Sequence, residues 1–258
     1  MFEQNRMIGR LQRKVAGESD IIACFLSGSF GRRAEDAFSD LDVALVFVNE
    51  DAKAQAWLNR SQFARSIMPY LAVKSFDAEH IRPFFHIALY ANGSKLDFRY
   101  EAQESFAPNP WDSKTRILKD DQGWAESFQA ASSRLTYPQP MMNSVELIDL
   151  DRRFWIMLWD ILRQLARGDS SRPFTIYLEL LHFTMPALLK ALLPGDPSRE
   201  ALIQANYSHN AYNTAQSLAS LLDAYLAARS AIISRYSLQL EIDIAFESDI
   251  KKLLGRLT

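Results

Sequence analysis

The stretch from Ile21 to Val48, IIACFLSGSFGRRAEDAFSDLDVALVFV, limits what this chain can fold into more than any other. An apolar run leads into Gly28-Ser29, a polar loop follows, and a second apolar run opens with Asp40-Leu41-Asp42. Short runs of Ile, Val, Phe and Leu bounded by Gly, Ser and Asp read as strands. Side chains at i and i+2 of a strand share a face. Asp40 and Asp42 therefore project together, while Leu41, Val43, Leu45 and Phe47 line the other face. Any fold of this chain must hold two carboxylates side by side at the start of a half-buried strand.

Two such carboxylates repel each other and need a cation or a proton. A divalent metal is the usual answer, and Mg²⁺ takes carboxylate oxygens together with substrate phosphates. Gly28 admits close approach of a ligand to the backbone. The Ser29 hydroxyl and the neighbouring N–H groups can bind phosphate oxygens. Arg32 and Arg33, in the same loop, can neutralise a polyphosphate. A third carboxylate comes from Lys95-Leu96-Asp97-Phe98-Arg99-Tyr100-Glu101, where the alternation is strict. Leu96, Phe98 and Tyr100 face a core; Lys95, Asp97, Arg99 and Glu101 share the polar face. If this strand neighbours the one at 40–48, Asp97 approaches Asp40 and Asp42, as a metal ligand or as acceptor of a proton from an attacking hydroxyl. The competing reading is a solvated strand face on which Lys95 and Arg99 pair with Asp97.

The rest of the chain changes character near residue 140. Before it, strands are expected at 21–26, 40–48, 84–90 and 95–101, with helices at about 3–16 and 50–67. Pro108, Pro110, Pro138 and Pro140 punctuate a segment of weak periodicity. After it, the pattern is helical. Asn143 or Ser144 caps a helix that ends at Gly168, Pro173 opens a second and Pro186 kinks it. Asp196-Pro197 opens a third, and residues 211–235 and about 240–256 supply two more. The expected class is α+β: a small mixed sheet with helices over residues 1–140, then a helical bundle over 141–258.

Composition narrows the function. Twenty-nine Lys and Arg against 31 Asp and Glu give a net charge of −2. That lacks the basic excess of a dedicated nucleic-acid binder. The single cysteine, Cys24, excludes a disulfide framework within the chain and reads as a buried, inert thiol. The first residues are charged and hold no signal-peptide core, and no apolar run is long enough to span a bilayer. A cytoplasmic protein without membrane partners is expected.

Gly28-Ser29, ten intervening residues, Asp40-x-Asp42 and a later strand aspartate, Asp97, resemble the nucleotidyltransferase superfamily that includes DNA polymerase beta and kanamycin nucleotidyltransferase. Within it the resemblance is closest to lincosamide nucleotidyltransferases. The likeness implies two Mg²⁺ ions on Asp40, Asp42 and Asp97, and a nucleoside triphosphate bound by Gly28, Ser29 and Arg32. It implies a small-molecule hydroxyl acceptor of the aminoglycoside or lincosamide class, transfer with release of pyrophosphate, and a homodimer. The bundle would bind the acceptor and form the dimer.

Other residues carry less. Glu179, in TIYLELLHF, either lines the acceptor pocket or faces solvent or an arginine. Glu146 and Asp149 suit a helix N-terminus. His80, His86, His182 and His209 show no metal-ligand spacing, and His86 reads as a core residue. Phe154, Trp155 and Trp159 read as bundle core. Two other functions compete with transfer to a small molecule. One is a noncatalytic, antitoxin-like module that senses nucleotide or binds a partner on the same fold. The other is an RNA-directed transferase, which is usually larger and more basic.

Overall fold

The computed structural model describes residues 3–137, 141–169, 171–207 and 212–257. Pro138, Pro140 and His209, named above, lie outside them. The chain divides into two units, Met1–Pro138 and Gln139–Thr258.

The first unit is built on a mixed sheet. Its strands are β1 (Ile21–Leu26), β2 (Leu41–Phe47), β3 (Val73–Asp77), β4 (Phe85–Tyr90), β5 (Lys95–Ala102) and β6 (Arg116–Asp120), in the spatial order β3-β4-β5-β2-β1-β6. Strands β2 and β5 are parallel, and every other pair is antiparallel. Helix α1 (Gln4–Ala16) buries the stripe Met7, Ile8, Leu11 and Val15 against one face. The same core takes Leu41, Val43, Leu45 and Phe47 from β2, and Leu96, Phe98 and Tyr100 from β5. The alternation expected of both strands is thus the observed one. On the other face, Ala44 and Val46 pack with Phe25 and with Phe128 of α5 (Trp124–Ser132). Asp42 has the same parity as Ala44 and Val46, so it opens on this second face.

Several local expectations change. The helix expected at 50–67 is two, α3 (Glu50–Leu58) and α4 (Arg60–Ile67), broken at Asn59. The Asn59 side chain donates to the Gln55 carbonyl, a local bond that competes with helical continuation. Strand β3 carries few apolar residues and is an exposed edge strand; pairing with β4, not its own pattern, makes it a strand. Helix α5 and β6 lie in the segment of weak periodicity. Asp120 caps α5 from a distance, accepting from the Ala125 and Glu126 N–H groups. No Ser, Thr, Asp or Asn stands at the N-cap itself, which is Gly123, so the usual start signal is missing.

The second unit is helical. Helix α6 (Ser144–Ala166) begins with a capping box between Asn143 and Glu146, and Gly168 follows it in the left-handed region. Helices α7 (Arg172–Glu179) and α8 (Met185–Ala191) are joined by a π-helical turn over Leu180–Thr184. Proline has no N–H and its ring crowds the carbonyl four residues earlier, here that of His182. The wider π turn takes up that conflict where a kink was expected. Helices α9 (Pro197–Asn206), α10 (Ala215–Tyr236) and α11 (Ile244–Leu257) complete the unit. Phe154 and Trp155 are core, but Trp159 is 40% exposed, so the expectation that it is core is corrected. It lies four residues beyond Trp155 on α6, at the margin of the buried stripe. No helix among the described residues is long and apolar enough to cross a membrane.

Arg229 of α10 is buried and donates to Asp151 of α6 and Glu247 of α11, tying three helices together. Removing one partner of such a set leaves charges buried and unpaired. Arg229→Ala is expected to cost about 3–5 kcal/mol, read as a shifted midpoint in urea unfolding followed by tryptophan fluorescence.

Candidate active site

The site is assembled where β1 ends and β2 and β5 begin. Because β2 and β5 run parallel, Asp42 stands directly opposite Asp97, and Leu41 opposite Leu96. Asp40 lies one residue before β2, level with Lys95. The Lys95 ammonium donates to Asp40 Oδ2 at 2.9 Å and to Asp97 Oδ2 at 2.7 Å. The three aspartates expected from the sequence are therefore brought to one end of the sheet, with a lysine between two of them.

Beside them, β1 runs into Ser27 and the short helix α2 (Gly28–Arg32). The Ser27 N–H donates to the Asp42 carbonyl at 2.9 Å, which pins the turn to β2. Gly28 has φ +60°, and a Cβ there would lie 1.8 Å from Asp42 Oδ2. Only glycine leaves room for that carboxylate. At Gly31 a Cβ would meet the Lys114 carbonyl oxygen at 2.4 Å, so α2 also needs glycine where it passes the chain entering β6. The first N–H groups of α2 have no carbonyl behind them, as at any helix start.

Gly28, Arg32, Asp42 and Asp97 line one cleft of about 230 Å³ together with Ser27, Arg99 and the rings of Trp111 and Tyr137. Asp40 opens with Lys95 onto an adjoining depression edged by Phe38 and Leu89. Ser29 lines neither. Glu179 belongs to the second unit, at the end of α7, and is exposed.

The electrostatics follow from this placement. Burial raises the Asp42 pKa, the Asp40 and Asp97 charges add to the rise, and Arg99 and Lys95 oppose it. Burial also raises the pKa of Asp97, against the hydrogen bond and charge of Lys95. Asp97 Oδ1 is buried and has no hydrogen-bond partner. Among the described residues, no three His, Cys, Asp or Glu side chains gather tightly enough to form a metal cage of their own. Mg²⁺ does not require one, because it commonly binds through one or two carboxylates plus substrate phosphates. An orphaned carboxylate oxygen, a second carboxylate seated on a glycine and a third paired with a partly exposed lysine fit that donor set.

Sequence reasoning missed the second layer of the site. Arg99 makes two bonds to Asp112, at 3.0 and 2.7 Å, and its guanidinium lies over the Phe25 and Phe106 rings. Asp112 is 1% exposed and is held in turn by Asn109. Pro108 and Pro110 punctuate this segment of weak periodicity, but nothing local shows that it carries a buried partner for Arg99. Trp111 and Tyr137 form an edge-to-face pair at 6.0 Å. His86 is core as expected: Nδ1 meets Asp77 Oδ1 at 2.9 Å, and burial lowers its pKa. Cys24 is fully buried, and burial pushes its thiol pKa up.

A mixed sheet backed by helices, with a Gly-Ser turn facing paired strand carboxylates, has the build of a nucleotidyltransferase. The family model of streptomycin adenylyltransferase matches residues 1–190, and the chain belongs to that family. It is a nucleotidyltransferase enzyme. Among solved structures, an aminoglycoside 6-adenyltransferase from Bacillus subtilis aligns with 100% of this chain and 98% of its own, at 15% identity and a TM-score of 0.37. A CCA-adding enzyme in complex with CTP aligns with 99% of this chain and 73% of its own, at 9% identity and a TM-score of 0.35. Both scores are low, and the assignment rests on the family match. No curated protein matches the sequence.

The raised pKa of Asp42 predicts how stability depends on pH. A carboxyl whose folded pKa exceeds its unfolded one binds its proton more readily in the folded state. Its ionisation therefore costs stability as pH rises from the ordinary carboxylate value through the raised one. Asp42→Asn removes that cost. In EDTA, the variant is expected to melt above the wild type at neutral pH, with the difference vanishing below the ordinary carboxylate range, as checked by scanning calorimetry.

Proposed function

We propose that this chain transfers a nucleoside monophosphate from a nucleoside triphosphate to a hydroxyl of an antibiotic-like small molecule, releasing pyrophosphate. The observation that carries the reading is the parallel register that sets Asp42 against Asp97, beside a turn whose glycine makes room for Asp42. Asp40, Asp42 and Asp97 hold divalent metal, two Mg²⁺ ions by the family resemblance. When bound, Mg²⁺ neutralises charge on the triphosphate and on the leaving pyrophosphate. Gly28 and the first N–H groups of α2, with that of Ser29 acting from the turn rather than from the cleft wall, receive phosphate oxygens, and Arg32, exposed on the same turn and lining the cleft, adds its charge.

The acceptor hydroxyl oxygen attacks the α-phosphorus in line, and the bond from that phosphorus to the β-bridging oxygen breaks. The hydroxyl proton passes to Asp97, whose Oδ1 is unpartnered and whose raised pKa suits a base. Arg99, fixed by Asp112, supplies a stationary positive charge behind Asp42. The remaining work is positioning.

Membership of the streptomycin adenylyltransferase family favours adenylyl transfer from ATP to an aminoglycoside, with lincosamides the second acceptor class to test. We assign the acceptor and a homodimer contact to the second unit, where Glu179 is exposed and free to meet a cationic amine. The setting is cytoplasmic, and nucleic acid is not the acceptor.

Thermal melts with each nucleoside triphosphate test the donor site without knowledge of the acceptor. Ligand that binds only the folded state raises the melting temperature by mass action. A shift that needs Mg²⁺ is expected, and it should be lost when Asp40→Asn and Asp42→Asn are combined. With aminoglycoside and lincosamide acceptors, pyrophosphate release should fall by roughly a hundredfold to a thousandfold in either single variant, the scale on which loss of a charge-stabilising group acts. Wild-type turnover in both variants would remove the metal assignment.

A further inference from the structure

Lys95 stands where a cation is needed. Its Nζ donates to both Asp40 Oδ2 and Asp97 Oδ2. Register explains the contact. Asp42 pairs with Asp97, so two residues earlier Asp40 falls level with Lys95, and the pleat turns all four side chains to one face. The other cation nearby, Arg99, already has two bonds to Asp112. The ammonium of Lys95 is thus the charge shared by Asp40 and Asp97.

This contact is built to break. The Lys95 side chain is 39% exposed and that of Asp40 is 42% exposed. Ion pairs this open are screened by water and contribute little. A lysine ammonium sits on a flexible stem and can swing aside without moving the backbone. Asp97 is the buried end of the bridge, and one of its oxygens faces no partner at all.

We propose that Lys95 is a built-in counter-ion. It holds Asp40 and Asp97 together in the metal-free protein, and a divalent cation must displace it to occupy the site. The inference rests on the metal-dependent reading above and adds a regulator to it. Lys95 is a positioning residue that competes with the metal, so it sets the cation concentration at which the site fills. By linkage, whatever strengthens the lysine contact weakens metal binding to the same degree.

The test is Mn²⁺ binding, read as loss of the free-ion signal in electron paramagnetic resonance on full-length protein without nucleotide. Mn²⁺ suits carboxylate oxygens and reports binding without turnover. Wild type, Lys95→Met, Lys95→Gln, Lys95→Arg and Asp97→Asn are compared, with circular dichroism confirming the fold of each. The Met and Gln variants should bind Mn²⁺ about fivefold or more tightly than wild type, the low end of ordinary coupling between sites. The Arg variant should stay within about twofold of wild type, and Asp97→Asn should bind roughly tenfold or more weakly. Equal or weaker binding by the folded Met and Gln variants, with wild type binding normally, overturns the counter-ion proposal and leaves the metal site standing. No binding by any of these proteins at millimolar Mn²⁺, with or without ATP, overturns the metal-dependent reading and this proposal together.

Discussion

The structure of the first unit turns on a repulsion. Three carboxylates, Asp40, Asp42 and Asp97, lie at one end of a sheet whose opposite face is apolar. Partly burying carboxylates, and then bringing like charges together, costs free energy, and the raised pKa values of Asp42 and Asp97 reflect the burial first and the neighbouring charges second. The cost is sustained by what surrounds it. The core formed by α1, α4 and the sheet buries Met7, Leu11, Leu45 and Phe98 completely. Burying a side chain of this size stabilises by about 1.5–3 kcal/mol. A few such residues outweigh the unfavourable charges, so the first unit tolerates three carboxylates at one end of its sheet.

The second layer of the site keeps that imbalance local. Arg99 alternates with Asp97 on β5 and would itself be a ready partner for the carboxylates. Instead it is turned to Asp112 and lies beside the Phe25 and Phe106 rings. A guanidinium held by two parallel bonds is fixed in direction as well as charge. It tempers Asp42 through space without forming a bond that a ligand would have to break. The open contact of Lys95 and the closed contact of Arg99 divide the two cations of β5 between a replaceable role and a permanent one.

Much of this is legible in the chain because the decisive residues follow period 2. The alternation in 41–47 and 95–101 assigns each side chain to its observed face, and the Asp40-x-Asp42 spacing alone puts two carboxylates together. What is not legible depends on contacts that no local residue pattern announces. Asp112 is made a buried partner by Arg99, 13 residues back, across a proline-rich turn. Strand β3 is a strand because β4 pairs with it, and α5 starts where Asp120 reaches forward to cap it. Trp159 differs from Trp155 only in angle around α6, a margin finer than helical periodicity resolves. Chemistry in the second unit stays silent for a related reason. Bundles form pockets from the spacing of helix faces, and that geometry leaves no motif of its own.

The lone parallel pairing in the sheet is the topological device behind the site. Had β2 and β5 been antiparallel, the residue opposite Asp42 would have come from the far end of β5. A seven-residue strand such as β2 is about 23 Å long, so Asp97 would have been carried most of a strand length away. A parallel neighbour needs a long crossover, and the chain supplies one through α3, α4, β3 and β4 between β2 and β5. That excursion also builds the outer edge of the sheet. The antiparallel pairing of β1 with β2 does the complementary task. It ends β1 beside the start of β2, so Gly28 arrives at Asp42 from the opposite chain direction. One parallel and one antiparallel neighbour are therefore what a strand needs if its first residues are to meet both a second carboxylate and a glycine turn.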